Sequence, residues 1–259
     1  MIAKYLLIGI AVLFTVGTLP TSSYAQIAPN TIAGMWLFDE GKGDTAKDTS
    51  GNGNDGTILG PEWVNEGKIG KALKFDGSDD YVDCGNGPSL DLTDQITFVA
   101  WVNHPPGTEG YVIIRNIPDD SIRQWGFLDY VSTGNISFFC DTGAGREQLD
   151  WSGTIDDNTW HHMALTINNP DVELFIDGVS RGVRKLNDQI VSRDTTVWIG
   201  RRKPSNFPYT GLLDEIAVFN VALSRDDIIR VMDEGLAKVA TAVAPSGRIT
   251  TTWASVKKQ

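Results

Sequence analysis

The chain has 259 residues, with 33 acidic against 22 basic side chains, a formal charge of −11 and two cysteines. An acidic chain without a basic stripe excludes nucleic acid as a partner, because a phosphate backbone demands clustered Lys and Arg. Cations and neutral ligands such as glycans stay compatible with it.

The chain opens with Met1–Lys4, an apolar run from Tyr5 to Pro20, and then Ser23-Tyr24-Ala25-Gln26. One positive charge, an apolar core and small residues at the −3 and −1 positions describe a secretory signal peptide, residues 1–25, cleaved after Ala25. The run is short for a membrane span, and no later stretch approaches one. The expected product is exported and has no transmembrane span. All 33 acidic residues fall between Gln26 and Leu236 against 17 Lys and Arg, a balance of −16, while residues 237–259 carry no acid and four bases. That split predicts one domain over 26–236 followed by a basic, flexible tail over 237–259.

The first strand, Met35-Trp36-Leu37-Phe38, runs into 18 residues (39–56) with almost no core-forming side chain. They are dense in Asp, Asn, Ser and Gly and end Asp48-Thr49-Ser50-Gly51-Asn52-Gly53-Asn54-Asp55-Gly56. Oxygen-bearing side chains on a backbone that Gly lets turn sharply suit a hard cation, and they equally suit an ordinary surface turn. A second acidic strand, Gly211–Phe219 with Asp214-Glu215, lies near the other end of the chain, and first and last strands of sandwiches often neighbour each other. Asp48, Asn52 and Asp214 are therefore the candidate ligands of a structural calcium ion, with Ser50 and backbone carbonyls adding neutral oxygens and Glu40 or Asn54 as substitutes.

Between these ends the pattern is short β-type runs separated by turn residues. Ala72–Phe75, Tyr81–Cys84, Ile96–Val102, Tyr111–Ile114, Trp125–Val131, Ile136–Cys140, His161–Ile167, Val172–Ile176 and Val197–Gly200 are such runs. Asp177-Gly178 between Ile176 and Val179 predicts a tight type I′ hairpin. Many strands without interleaved helices predict an all-β fold of two packed antiparallel sheets. One short C-terminal helix is expected: Ser224 caps it, Asp227 reaches back, Leu223 and Ile228 form a hydrophobic staple, and Gly235 stops it after Glu234.

Trp36, Phe75, Trp101, Trp160 and Phe219 sit in apolar strand patterns and belong to the core. Trp125, Tyr130, Trp151 and Tyr209 lie among polar residues, near Arg123, Arg146 and Arg202, and are the candidate platforms on which a sugar would stack. Cys84 and Cys140 can either pair in an oxidising compartment or sit apart as small buried side chains. His161 and His162, adjacent on a strand, point to opposite faces and cannot chelate one ion.

The ordered series Trp36-x-Phe38-Asp39-Glu40-Gly41, Asp48-x-Ser50-Gly51-Asn52-Gly53-Asn54, Gly70-Lys71-Ala72-Leu73-x-Phe75-Asp76-Gly77, Trp160-His161-His162, Phe175-Ile176-Asp177-Gly178 and Gly211-x-x-Asp214-Glu215-Ile216-x-Val218-Phe219-Asn220-x-Ala222-Leu223-Ser224 resembles the laminin-G-like jelly roll of the concanavalin A-like lectin/glucanase superfamily. The resemblance covers nearly all of residues 30–236. It implies a two-sheet jelly roll, calcium near the Asp48 loop, and a core position for one ring of Trp160-His161-His162. It leaves activity open, since members are carbohydrate-binding modules, adhesion domains and enzyme appendages. The Glu-x-Asp-x-x-Glu carboxylate spacing of the laminarinase-like hydrolases is absent, and Asp214 and Glu215, being adjacent, are expected to point apart. The expected function is an exported, non-catalytic module recognising glycans or glycosylated surfaces; the alternative is a protein–protein adhesion module of laminin-G type.

Overall fold

A computed structural model describes residues 27–117, 123–130, 135–153, 155–201 and 207–241, with the backbone alone at 128–130. The expected signal peptide and residues 242–259 of the tail lie outside the described residues. In chain order the strands are β1 (Ile32–Trp36), β2 (Thr45–Ala46), β3 (Gly56–Leu59), β4 (Glu62–Val64), β5 (Ala72–Asp76), β6 (Tyr81–Asp83), β7 (Gln95–Asn103) and β8 (Gly110–Asn116). They continue as β9 (Arg123–Tyr130), β10 (Asn135–Thr142), β11 (Gly145–Ser152), β12 (His161–Asn168), β13 (Asp171–Ile176), β14 (Val179–Lys185), β15 (Thr196–Ile199) and β16 (Thr210–Phe219), followed by helices α1 (Arg225–Glu234) and α2 (Leu236–Thr241).

The strands form two antiparallel sheets stacked as a sandwich. The first runs β14-β13-β12-β7-β16-β5-β4, with β1 paired to the second half of β16, and the second runs β11-β10-β9-β8-β15-β6-β3-β2. Period-2 alternation decides what lies between them. On β7, Ile96, Phe98, Ala100 and Val102 enter the main core with Val112, Ile113, Trp125, Phe127, Phe138, Val197 and Ile199 of the facing sheet. Each such large side chain contributes roughly 1.5–3 kcal/mol on burial. The intervening β7 residues Val99 and Trp101 face outward and are buried as well, because the outer face of the first sheet is covered. Val99, Ala164, Phe175, Ala217 and Phe219 pack there beneath Ile228, Val231, Leu236 and Val239 of the two helices and beneath Ile27.

The short-range expectations match the structure where local chemistry dictates them. Asp177 (φ 51) and Gly178 (φ 71) make the β13–β14 turn with Ile176 opposite Val179. Ser224 Oγ accepts the Asp227 N–H at 3.2 Å while the Asp227 carboxylate accepts the Ser224 N–H at 3.3 Å, and the Gly235 N–H caps Val231 O at 2.9 Å. The packed chain does not end at Leu236. Leu236 and Val239, three apart on α2, are each 1 % exposed and seal the outer cluster, so the first residues assigned to the flexible tail belong to the domain.

Candidate functional site

The stacking platforms expected at Trp125, Trp151 and Tyr209 are not surface rings: their exposures are 0, 1 and 1 %. Trp125 points from β9 into the core against Phe98, with ring centroids 4.8 Å apart. Trp151 closes one edge of the sandwich, its indole N–H donating to Gly182 O of β14 at 2.7 Å. Tyr209 meets Phe75 edge-on and its hydroxyl donates to Leu212 O at 3.3 Å. The side chain of Tyr130, and Arg202, lie outside the described residues. The polar residues beside Trp125 and Trp151 in sequence occupy alternate positions on the strands, so polar neighbours and buried rings coexist.

Asp48, Asn52 and Asp214 do not converge either. Asp48 Oδ1 accepts the N–H groups of Met35 and Ser50 at 3.0 and 2.9 Å, and Oδ2 accepts the backbone N–H and side-chain amide of Asn54 at 2.8 and 2.9 Å. Four donors fill the four lone-pair positions of a carboxylate, so no acceptor capacity is left for a cation. The Asn52 amide donates to Ile32 O at 2.8 Å and Ala33 O at 3.1 Å, and Asn54 O accepts the indole N–H of Trp36 at 2.9 Å. The loop is a hydrogen-bonded plug fastened to β1. Trp36 pairs with Ile216 on one side and Asp48 on the other, which sets Asp48 two strand spacings, roughly 10 Å, from β16. These residues therefore do not fit a shared calcium site.

Asp214 belongs to a different constellation. A bulge between Asp214 and Ala217, with Glu215 at φ 49, breaks the alternation of β16. The two carboxyls, expected to point apart, are instead both buried and in electrostatic contact. Asp214 Oδ2 accepts the Ile69 N–H at 2.9 Å and Glu215 Oε2 the Leu236 N–H at 2.6 Å, while Asp214 Oδ1 has no partner. Burial pushes both groups up to about 7, with Asp39 adding repulsion. Among the described residues, the acidic oxygens that do converge are those of Asp76, Asp79 and Asp80. That group is a turn, with Asp80 Oδ2 accepting the Asp76 N–H at 2.8 Å and Asp76 Oδ1 the Ser78 N–H at 2.7 Å.

The two histidines divide as alternation requires. His162 is 1 % exposed against Trp101, ring centroids 5.1 Å apart, and burial lowers it to about 4. His161 faces the rim, with Nδ1 2.7 Å from Asp177 Oδ2 and Nε2 3.3 Å from Asp157 Oδ1. Cys84 and Cys140 are free and buried, and burial pushes both thiols up; they do not form the disulfide that the sequence allowed.

The outer face of the second sheet carries what the first sheet's does not. One transverse row runs in register through Thr57, Asp83, Trp198, Ile114, Gly126, Phe139 and Gln148. Its centre is apolar, with Tyr111, Ile114, Phe139 and Trp198 forming an outer cluster. A Cβ at Gly126 would lie 3.0 Å from Ile114 and 3.2 Å from Tyr111, so the missing side chain lets those two lie over the sheet. The next row is polar. Asn116 pairs with Arg123, whose N–H donates to Asp141 Oδ2 at 3.0 Å, and Asp141 pairs with Arg146, whose Nε donates to Asp141 Oδ1 at 3.1 Å. The Arg123 guanidinium lies 5.7 Å from the Phe139 ring centroid. Beside this row an open cleft of about 420 Å³ is lined by Asp141, Thr142, Gly145, Arg146 and Arg193. The sequence pattern missed it because its residues come from a hairpin and a distant loop with no motif in common.

Two stacked antiparallel sheets with helices over one outer face make a jelly-roll sandwich. Residues 76–229 match the laminin-G profile described as the concanavalin A-like lectin/glucanases superfamily, and the chain belongs to that family. Among solved structures, the fold is similar to the binding domain of Paraclostridial mosquitocidal protein 1, at TM-score 0.64 and 16% identity over 80% of this chain and 52% of that one. It is similar also to domain 4 of an extracellular arabinanase from Geobacillus stearothermophilus in complex with arabinotriose, at TM-score 0.57 and 20% identity over 78% and 98%. A stretch of 140 residues is 19% identical to the adhesion G-protein coupled receptor V1 of Danio rerio, covering 51% of this chain and 2% of that protein. At these identities the structural likenesses show the fold. Among the described residues, no helix is long and apolar enough to cross a membrane.

Proposed function

We propose that this domain is a non-catalytic carbohydrate-binding module that takes its ligand on the outer face of the second sheet, at the cleft beside Phe139. The observation that carries the reading is the asymmetry of the sandwich: α1 and α2 bury the outer face of the first sheet, while the second presents Asp141, Arg146 and Arg193 around open space. Sugar recognition uses a few convergent polar groups on an otherwise apolar wall, and the Phe139–Asp141–Arg146 region has that composition. The arabinotriose complex of the arabinanase domain supports the ligand class. Among the described residues, Asp141 is the one carboxylate that lines the cleft, and its oxygens accept Arg146 Nε and the Arg123 N–H, whereas glycoside hydrolysis uses a facing pair. With the Met1–Ala25 leader, the module acts outside the cytoplasm.

A glycan array on the purified protein tests this. Binding to one glycan class that Asp141→Ala and Arg146→Ala weaken, with melting temperature kept, is the expected result; turnover of the bound polysaccharide would replace the reading with an enzyme. The likeness to an adhesion receptor favours a second reading, a protein–protein adhesion module. A silent array together with a protein partner retained by the wild-type domain would select it.

A further inference from the structure

We propose that the ligand is a linear oligosaccharide of about three units, laid along the β10–β11 hairpin from the Asp141–Arg146 cleft to a second polar step at Ser137, Gln148 and Asp150; this rests on the glycan-binding reading above. The register of the hairpin carries the inference. β10 and β11 pair Asp141 with Arg146, Phe139 with Gln148 and Ser137 with Asp150. These residues share the outer face, because Ile136, Phe138, Cys140 and Trp151, at the alternate positions, enter the main core. The outer face of the hairpin is therefore a line of cross-strand pairs, polar at both ends, with Phe139 at 8 % exposure in the middle. Successive pairs stand two residues apart, roughly 7 Å, so the line measures roughly 14 Å from end to end. That exceeds one sugar ring and suits about three linked units, the middle one against the Phe139–Gln148 pair.

The far pair is built as a fixed hydrogen-bonding group. Asp150 Oδ1 accepts the Ser137 hydroxyl at 2.6 Å and the Gln148 side-chain amide at 2.9 Å. Ser137 is 1 % exposed, so the carboxylate is anchored by a buried partner. The strand that carries it is fixed as well, although β11 is the outermost strand of its sheet. The Asp150 carbonyl accepts Arg184 Nε at 3.1 Å, and the Trp151 indole N–H donates to Gly182 O at 2.7 Å. Two neighbouring residues thus tie β11 to β14 of the other sheet. Asp150 Oδ2 and Gln148 Oε1 accept no hydrogen bond among the described residues. Two acceptors held in place before binding select hydroxyl donors at little cost in ordering, and a sugar presents such donors in adjacent pairs. An Asp–Gln group alone on an edge strand would only face water. Its alignment with the cleft, through Phe139, makes it the far end of one site.

The test is calorimetric titration of the full chain with arabino-, xylo- and cello-oligosaccharides of one to five units. For the series that binds, affinity should rise with length and level off at the third unit, that last step being about tenfold. Gln148→Ala should remove the third-unit gain with melting temperature kept, because that side chain is exposed. Ser137→Ala combined with Asp150→Ala, which deletes both partners of one hydrogen bond, should remove it too. A plateau before the third unit, a rise that continues to the fifth, or a third-unit gain that survives both variants overturns the inference and leaves the glycan reading standing. If no series binds, the inference falls, and with a silent array the glycan reading falls with it.

Discussion

Asp48 Oδ2 accepts both the backbone N–H and the side-chain amide of Asn54, at 2.8 and 2.9 Å. One side chain thus closes a six-residue turn twice over, and its other oxygen fastens the turn to Met35 of the first strand. The loop that most resembles a cation site is built around a carboxylate whose charge is balanced by N–H dipoles.

Asp48→Asn should therefore destabilise the fold by about 3 kcal/mol, since an amide NH₂ would face N–H donors left without acceptors. The loss should be the same in calcium and in EDTA, and the wild-type melting temperature should not differ between them. A calcium-dependent rise that Asp48→Asn abolishes would return the carboxylate to a cation.

The Asp214–Glu215 pair predicts an unusual slope on the neutral side. Both carboxyls sit at about 7 in the fold against ordinary values near 4 when unfolded. The native state then binds more protons than the unfolded chain between those limits, so stability contributed by the pair falls as pH rises from about 4 to about 7. Asp214→Asn keeps an acceptor for the Ile69 N–H and removes a buried charge. Its melting temperature should exceed wild type at pH 8, and the advantage should vanish near pH 5; an advantage independent of pH would refute the assignment.

His162 acts with the opposite sign. Buried neutral and lowered to about 4, it costs stability as pH falls from about 6.5, where the unfolded imidazole takes up its proton, to about 4. His162→Gln should flatten the acid limb of the stability curve without touching the limb set by Asp214.

Trp125→Ala should lower stability by about 3–5 kcal/mol, the range for emptying a buried aromatic site, with or without any sugar present. Trp151→Ala should add loss of the tie to Gly182 across the sandwich edge. If either variant melts like wild type and loses only ligand binding, the ring is a platform after all.

Cys84 and Cys140 should resist a thiol reagent until the chain unfolds, because both thiols are buried and held protonated. Reductant should leave melting temperature unchanged. Rapid modification of the native protein would show an exposed thiol.

Local chemistry was legible in the residues themselves. Asp177-Gly178 between β-type runs specifies its turn, Ser224 and Asp227 specify a helix start, and the β-type run at residues 96–102 specifies a strand; each signal is complete within a few residues. The ordered motifs likewise identified the jelly roll. The tertiary structure alone decided which rings are core and which oxygens are spent. Trp125 looks polar in sequence because its neighbours are, yet its inward phase on β9 sets it against Phe98, a partner from the other sheet. Asp48 looks like a ligand until the donors from Met35, Ser50 and Asn54 fill it. Adjacent Asp214 and Glu215 ought to diverge, yet with a bulge between Asp214 and Ala217 both are buried, one on the Ile69 N–H and the other on the Leu236 N–H. Arg193 and Arg146 line one cleft only because β10, β11 and the chain before β15 come together at one end of one sheet. Burial, saturation of hydrogen bonds and the convergence of distant segments depend on partners remote in the chain, so no local pattern can carry them.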